Sequence, residues 1–237
     1  MWLTLSQGKK ASLAITDRQS IWPAPDGSDA ELVITTKASL TEEVLIASRR
    51  LVRLRYTIDE FEVLMGINNL PPQPWPDAAP VSGRSFEVMI TDRGAIIVPS
   101  QGPRLANRHA SWVNVMAEDI RSSWSVPPDR ASAGATWKLT PAFPGGLPPN
   151  TTSADIDVNY LLSSLEGSEA EVRINFAVHL MVDAPQHSEK GTGMGEMTVH
   201  LEQSHGVRHA VRNGRLELTA VAHAKEIIRS SMELIRL

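Results

Sequence analysis

From Glu171 to Val182 the chain alternates without a break. Val172, Ile174, Phe176, Val178, Leu180 and Val182 fall on one side, and Glu171, Arg173, Asn175, Ala177, His179 and Met181 on the other. Side chains alternate between faces along a strand, whereas a helix repeats every 3.6 residues, so this run cannot bury its apolar set on a helix. A strand that long needs neighbours on its edges and a dry layer against one face. The chain is therefore committed to a sheet.

Other segments repeat the signal. Glu31-Leu32-Val33-Ile34-Thr35-Thr36 and Arg53-Leu54-Arg55-Tyr56-Thr57-Ile58 read as half-buried strands, the first preceded by the turn cluster Pro23 to Ser28, which predicts a hairpin connection. Ser85 to Ile90 and Ala95 to Val98 flank Asp92-Arg93-Gly94, the composition of a tight hairpin. Asn68 to Pro80 carries Pro71, Pro72, Pro74, Pro76 and Pro80 around Trp75 and predicts a stiff loop with Trp75 tucked onto the body, because proline has no N–H to give a ladder. Met1 to Leu5 also reads as a strand, which fits Met1 standing where a leader was removed.

Toward the C-terminus the pattern predicts a three-stranded meander over 196–222. Ser204-His205-Gly206 reverses the chain, so that Leu201 pairs with His209, Val199 with Val211, and Glu202 lies opposite Arg208. Asn213-Gly214 then supplies a type I′ turn that pairs Val211 with Leu216 and His209 with Leu218. Glu226 to Leu237 fits neither period and reads as a further strand or a short helix.

One long helix stands out, over about 104–125 between Gly102-Pro103 and Pro127-Pro128. Leu105, Trp112, Val113, Met116, Ile120 and Trp124 recur at three- and four-residue intervals, while Asn107, Arg108, Ser111, Asn114, Glu118, Asp119 and Arg121 largely take the other side. Such a helix covers the apolar face of a sheet.

At 237 residues one all-β domain spans the chain. The absence of cysteine removes disulfides, thiolate catalysis and cysteine-ligated metals together. A net charge of -4 with interspersed signs offers no basic face to a phosphate backbone, so nucleic acid is not an expected partner. No apolar run is long enough to span a bilayer as a helix.

Candidate chemistry is sparse. His200, His205 and His209 with Glu196 and Glu202 resemble a metal ligand set, but the meander puts His200 outward, His205 in the turn and His209 on the apolar face, so no metal is expected. Gly191-Thr192-Gly193-Met194-Gly195 looks like a phosphate loop, yet a strand follows where such a loop needs a helix N-terminus; a flexible start to the strand or a bulge is expected instead. Asp155 and Asp157 fit the solvent face of a strand, and Asn150-Thr151-Thr152 matches a glycosylation acceptor. Nucleophile-elbow, zincin, P-loop and kinase signatures are absent, and no cofactor or catalytic residue is expected. The expectation is a non-catalytic protein that binds a partner protein or an apolar ligand, with Trp112, Met116, Trp124 and Phe176 lining a space between sheet and helix. The alternative is a hydrolase-like enzyme with a dispersed site, in which His179 or His209 would meet a carboxylate in a concave pocket.

Three features in order resemble a family of uncharacterised bacterial secreted or lipoprotein-like β-proteins. They are Gly83-Arg84-Ser85-Phe86 leading to Asp92-Arg93-Gly94-Ala95-Ile96, Pro127-Pro128 followed by Ala133-Gly134-Ala135-Thr136-Trp137, and Gly191 to Glu196 leading into a strand and a glycine turn. The chain departs from that family at Thr136, where an acidic residue is usual, and in lacking a lipobox cysteine. The resemblance covers about residues 83–222 and implies an extracytoplasmic β-fold, periplasmic or extracellular, without assigning catalytic residues. The fold expected is mainly β: a curved antiparallel sheet or partial barrel of roughly nine to twelve strands with the amphipathic helix packed on it.

Overall fold

The computed structural model describes residues 3–24, 29–48, 50–68, 70–75, 81–91, 94–98, 107–128, 130–139, 151–184, 187–220 and 226–237. Twelve strands and one helix follow in chain order among them: β1 Lys10–Trp22, β2 Leu32–Ala47, β3 Val52–Ile67, β4 Gln73–Pro74, β5 Ser85–Thr91, β6 Gly94–Val98, α1 Asn107–Ser123, β7 Thr136–Trp137, β8 Thr151–Glu166, β9 Glu169–Ala184, β10 His187–Glu202, β11 Gly206–Ala220 and β12 Glu226–Arg236. They make one open, curved antiparallel sheet, as the alternation predicts. Its order is β6-β5-β3-β2-β1-β12-β11-β10-β9-β8-β7, with β4 pairing β3 off that path.

The topology is two meanders joined at the chain's ends. β1 and β12 pair along ten residues at the centre of the sheet, from Leu13 opposite Arg236 to Trp22 opposite Ile227. The middle of the chain, carrying α1, therefore runs from one edge strand, β6, to the other, β7. α1 meets the inner face, where Met116, Ala117, Ile120 and Trp124 are buried against strands of both meanders. Register shifts in β2–β3, β8–β9 and β10–β11 insert extra residues that raise local twist and bend the sheet. Among the described residues no helix is long and apolar enough to cross a membrane.

Several expectations hold in detail. β9 buries Val172, Ile174, Phe176, Val178, Leu180 and Val182 together, β5 and β6 form the expected hairpin, and Asp155 and Asp157 are exposed. β1 and β2 pair as a hairpin whose turn, 25–28, lies outside the described residues, as do Asn150 and the Pro-rich stretch 141–149. Trp75 does pack on the body, and its N–H donates to the Val63 carbonyl at 2.7 Å, but the loop before it holds the two-residue strand β4. Leu3 is buried and the Thr4 N–H donates to the Gln203 carbonyl at 2.7 Å, yet residues 3–5 are not a strand, and Met1 and Trp2 lie outside the described residues. Glu226 to Arg236 is a strand, and a central one.

The three-stranded meander is corrected. Asn213 and Gly214 sit inside β11, paired with Glu196 and Gly195 on one side and with Ser231 and Ser230 on the other. A type I′ turn needs positive φ at both positions, and neither has it. Turning there would strip β12 and the first half of β10 of the second half of β11, one of the two strands each pairs with, so the ladder outweighs the local preference. The register after Gly206 also differs: Leu201 opposes Val207 and His200 opposes His209, leaving Arg208 as the extra residue of a bulge. That bulge sends Ala210 and Arg212 inward and His209 outward. The opposition of Glu202 and Arg208 survives as a contact of 3.5 Å.

The Gly191–Gly195 run is likewise neither a loop nor a strand start. It lies within β10 with its glycines facing inward, where Cβ atoms on Gly191 and Gly195 would overlap the Leu180 side chain and the Phe176 ring. The glycines leave the groove that those larger side chains fill.

Candidate functional site

The helix is expected to show its polar residues to water, and Asp119 overturns this: it is fully buried. Three residues after Met116, Asp119 shares the helix face that meets the sheet. Its partner is Arg212 of β11, only 1% exposed. Arg212 donates from Nη2 to Asp119 Oδ2 at 3.2 Å and to Asp17 Oδ1 of β1 at 2.8 Å, and from Nη1 to Ser230 Oγ of β12 at 2.6 Å. Its Nε also lies 2.8 Å from Asp119 Oδ1, with the N–H off the line between them. Gln19 completes the cluster, donating to Asp17 Oδ2 at 3.0 Å.

Two carboxylates share one guanidinium here, and the surplus charge falls on Asp17. Burial, and next the charge of Asp119, push its carboxyl up to about 7, against the pull of Arg212. For Arg212 burial works against the cation, and the two carboxylates outweigh it and hold the guanidinium above its usual value.

A second network lies at the helix C-terminus. Trp124 Nε1 donates to the Tyr56 hydroxyl of β3 at 2.7 Å, and that hydroxyl donates to Glu42 Oε2 of β2 at 2.7 Å. Arg236 of β12 closes the set, donating from Nη2 to Glu42 Oε1 at 2.6 Å and from Nε to the Val207 carbonyl at 2.9 Å. Burial first, and then the charge of Glu42, hold the Tyr56 hydroxyl well above its ordinary pKa, so it stays a neutral donor. The Trp124 ring lies over Gly206, whose φ of +74° and lack of a Cβ are both required there.

Each network ties α1 to strands of both meanders. Between α1 and the pair β1–β2 lies a cavity of about 100 Å³. Ile15, Ile34, Val115 and Met116 give it apolar walls, and Asp17, Gln19 and Thr36 give it a polar side.

Of the residues expected to line such a space, Met116 does so. Trp124 is buried in the second network, and Phe176 packs on Gly195 and Gly214 in the other meander. The side chain of Trp112 lies outside the described residues. Asp17, Asp119, Arg212, Glu42, Tyr56 and Arg236 were not singled out by the sequence. The readable signal was a charged residue at an apolar phase: Asp17 two positions after Ile15, and Asp119 in the helix stripe.

The histidines separate differently from expectation. His200 and His209 share the outer face with ring centroids 5.8 Å apart, and His209 Nε2 lies 3.1 Å from Glu233 Oε1. A histidine thus meets a carboxylate, but on the exposed face. In the β10–β11 turn His205 Nδ1 lies 2.6 Å from Glu202 Oε1 and 2.8 Å from Ser204 Oγ. A nucleophile relay requires acid and nucleophile on opposite ring nitrogens, so this trio has the wrong connectivity. Among the described residues no group of three or more ligating side chains is placed to hold a metal ion.

No protein-family model matches the sequence, and no curated protein matches it. Solved structures do match. A lipovitellin, solved to describe its lipid–protein interactions, superposes with a TM-score of 0.58 at 8% identity over 98% of this chain and 25% of its own. The two share a fold. This chain spans about a quarter of the lipovitellin chain, and identity that low speaks for architecture alone. An outer membrane channel from Pseudomonas putida F1 aligns over 100% of this chain and 98% of its own at 9% identity, but its TM-score of 0.24 falls short of a shared architecture.

Proposed function

We propose that the protein binds an apolar ligand of the acyl-chain class between α1 and the inner face of the sheet, and acts by binding rather than catalysis. The observation that carries this is the cavity against Val115 and Met116, apolar on the helix side, with Asp17, Gln19 and Thr36 placed to meet a polar end. Its volume of about 100 Å³ holds a short stretch of chain, while sites for whole ligands run to roughly 300–1,000 Å³. Full occupancy therefore requires the Val115–Met116 part of α1 to lift while its C-terminal end stays fixed by Trp124. The sheet fold shared with lipovitellin is compatible with this use, as an analogy of architecture.

Solvent extraction of the purified protein with mass spectrometry, and titration with a fluorescent fatty acid, test the reading. Wild type is expected to carry or take up lipid. Met116→Asp is expected to lose it, and Ile34→Trp, which fills the cavity with apolar bulk, is expected to lose it too. Unchanged uptake in a folded Ile34→Trp protein rules the cavity out.

A second reading, a partner protein adding a strand, has its own observation: β7 pairs β8 only at Leu161 and Tyr160 among the described residues, although β8 begins at Thr151. Recovery of a defined partner with lipid-free protein would favour it. A place outside the cytoplasm belongs to this proposal through the resemblance, and fractionation of cells expressing the native gene tests it.

A further inference from the structure

The outer face of the sheet carries an arrangement that neither the fold nor the cavity explains. Arg215 of β11 and Arg229 of β12 are direct cross-strand partners, and Ser20 of β1 is the partner of Arg229 on its other side. Arg18, two residues before Ser20, puts a third guanidinium on the same outward phase and the next strand. Like charges directly opposite in an antiparallel pair oppose folding. Arg215 is balanced by Glu217, whose Oε1 lies 2.5 Å from its Nη2. Arg18 and Arg229 are exposed and have no ion pair or side-chain hydrogen bond among the described residues.

These side chains line a groove. About 390 Å³ is bounded by Arg18, Arg215, Arg229, Asn213, Ser20 and Ser231, all donors or hydroxyls. It continues, across Ser20, Glu31 and Arg229, into a further 210 Å³ bounded by Trp22 and Ile227. Trp22 is 45% exposed, a large aromatic surface left in water beside two unpaired cations. Among the described lining residues Glu31 is the one carboxylate and borders both parts, so beyond the Glu217 already paired with Arg215 it offsets a single charge.

We propose that this groove binds a phosphate attached to an apolar or aromatic group, with the phosphate held by Arg18, Arg229 and Arg215 and the apolar group laid on Trp22 and Ile227. Guanidinium forks match phosphate oxygens bidentately, and an anion between Arg215 and Arg229 turns their repulsion into a shared contact. Exposed tryptophan next to an anion site takes the face of the adjoining group. The site lies on the opposite face from the cavity under α1 and stands independently of it. The same chemistry is met in a soluble organic phosphate and in an anionic phospholipid headgroup.

Calorimetric titration with phenyl phosphate, and flotation with vesicles of phosphatidylglycerol in phosphatidylcholine against phosphatidylcholine alone, separate these sources. Wild type is expected to bind one of the two phosphate probes, with affinity falling as salt is raised. Arg229→Gln and Arg18→Gln are each expected to weaken binding about tenfold or more, the loss of a charge-assisted contact. Trp22→Ala is expected to weaken it toward the probe that binds but not toward inorganic phosphate, and Glu31→Gln is expected to tighten it. All four side chains are on the outer face, so circular dichroism and the melting temperature are expected to stay at wild-type values. Binding of neither probe, or equal affinity in wild type and a folded Arg229→Gln protein, overturns the proposal. Lipid found under α1 bears on the cavity alone and leaves this test unchanged.

Discussion

Arg212 and Arg236 both tie the two meanders together beneath α1, and they do so in opposite charge balance. Arg236 meets one carboxylate, Glu42, whose other oxygen takes a neutral hydroxyl. Arg212 meets two carboxylates, Asp17 on the sheet and Asp119 on the helix. Burial first, and then the charge of the second carboxylate, Asp119, raise the pKa of Asp17 in a dry site with one base and two acids. The difference separates a fixed fastening at the Trp124 end of the helix from one that answers to protons near Met116. The second lies beside the cavity, since Asp17 is also one of its walls.

The strongest way to break this comparison is to remove each arginine. Arg212→Met leaves two buried carboxylates facing each other, and the loss of one partner of a buried ion pair costs about 3–5 kcal/mol. Arg236→Met is expected to cost less, because Tyr56 still donates to Glu42. Denaturant unfolding monitored by circular dichroism measures both. Equal losses would mean that the second carboxylate at Arg212 adds nothing.

Protons sharpen the comparison further. Asp17 holds its proton to about 7 in the folded chain and to about 3.8 when unfolded, so between those values the native state binds the extra proton. Stability therefore falls as pH rises through that window, by at most about 1.4 kcal/mol per pH unit, and levels off above it. Asp17→Asn is expected to remove that slope and to raise stability at neutral pH. A wild-type profile between pH 4 and 7 that Asp17→Asn leaves unchanged would assign the titration to another group.

The sheet was legible because period two survives any register, and the helix because its apolar stripe runs between prolines. Registers were less so. Asn213-Gly214 is a hairpin sequence read alone, and only the presence of β12, whose own pattern is ambiguous, turns it into mid-strand. One bulge at Arg208 then moved His209 from the inner to the outer face. The polar networks were hidden for the same reason: Arg212 is recognised as buried only once the register is known, and Asp119 only once a cation is known to lie opposite. The inward place of Met116 was legible because it depends on helical spacing alone.

The smallest effect tests the fastening at Trp124. Tyr56→Phe keeps the ring, which stacks on Phe86 at 5.4 Å, and deletes the hydroxyl between Trp124 and Glu42. The indole N–H then loses its acceptor and Glu42 one donor, at a cost of about 1–3 kcal/mol. Trp124→Phe removes the partner, opening space against Gly206 and adding a packing loss. With both changes no unmatched donor remains, so the double variant is expected to lose less than the two single losses combined. The shortfall measures the Trp124–Tyr56 coupling free of the packing change. Losses additive to within about 0.5 kcal/mol would show that the helix end is held by packing alone, and the contrast with Arg212 would then lie between a polar fastening and an apolar one.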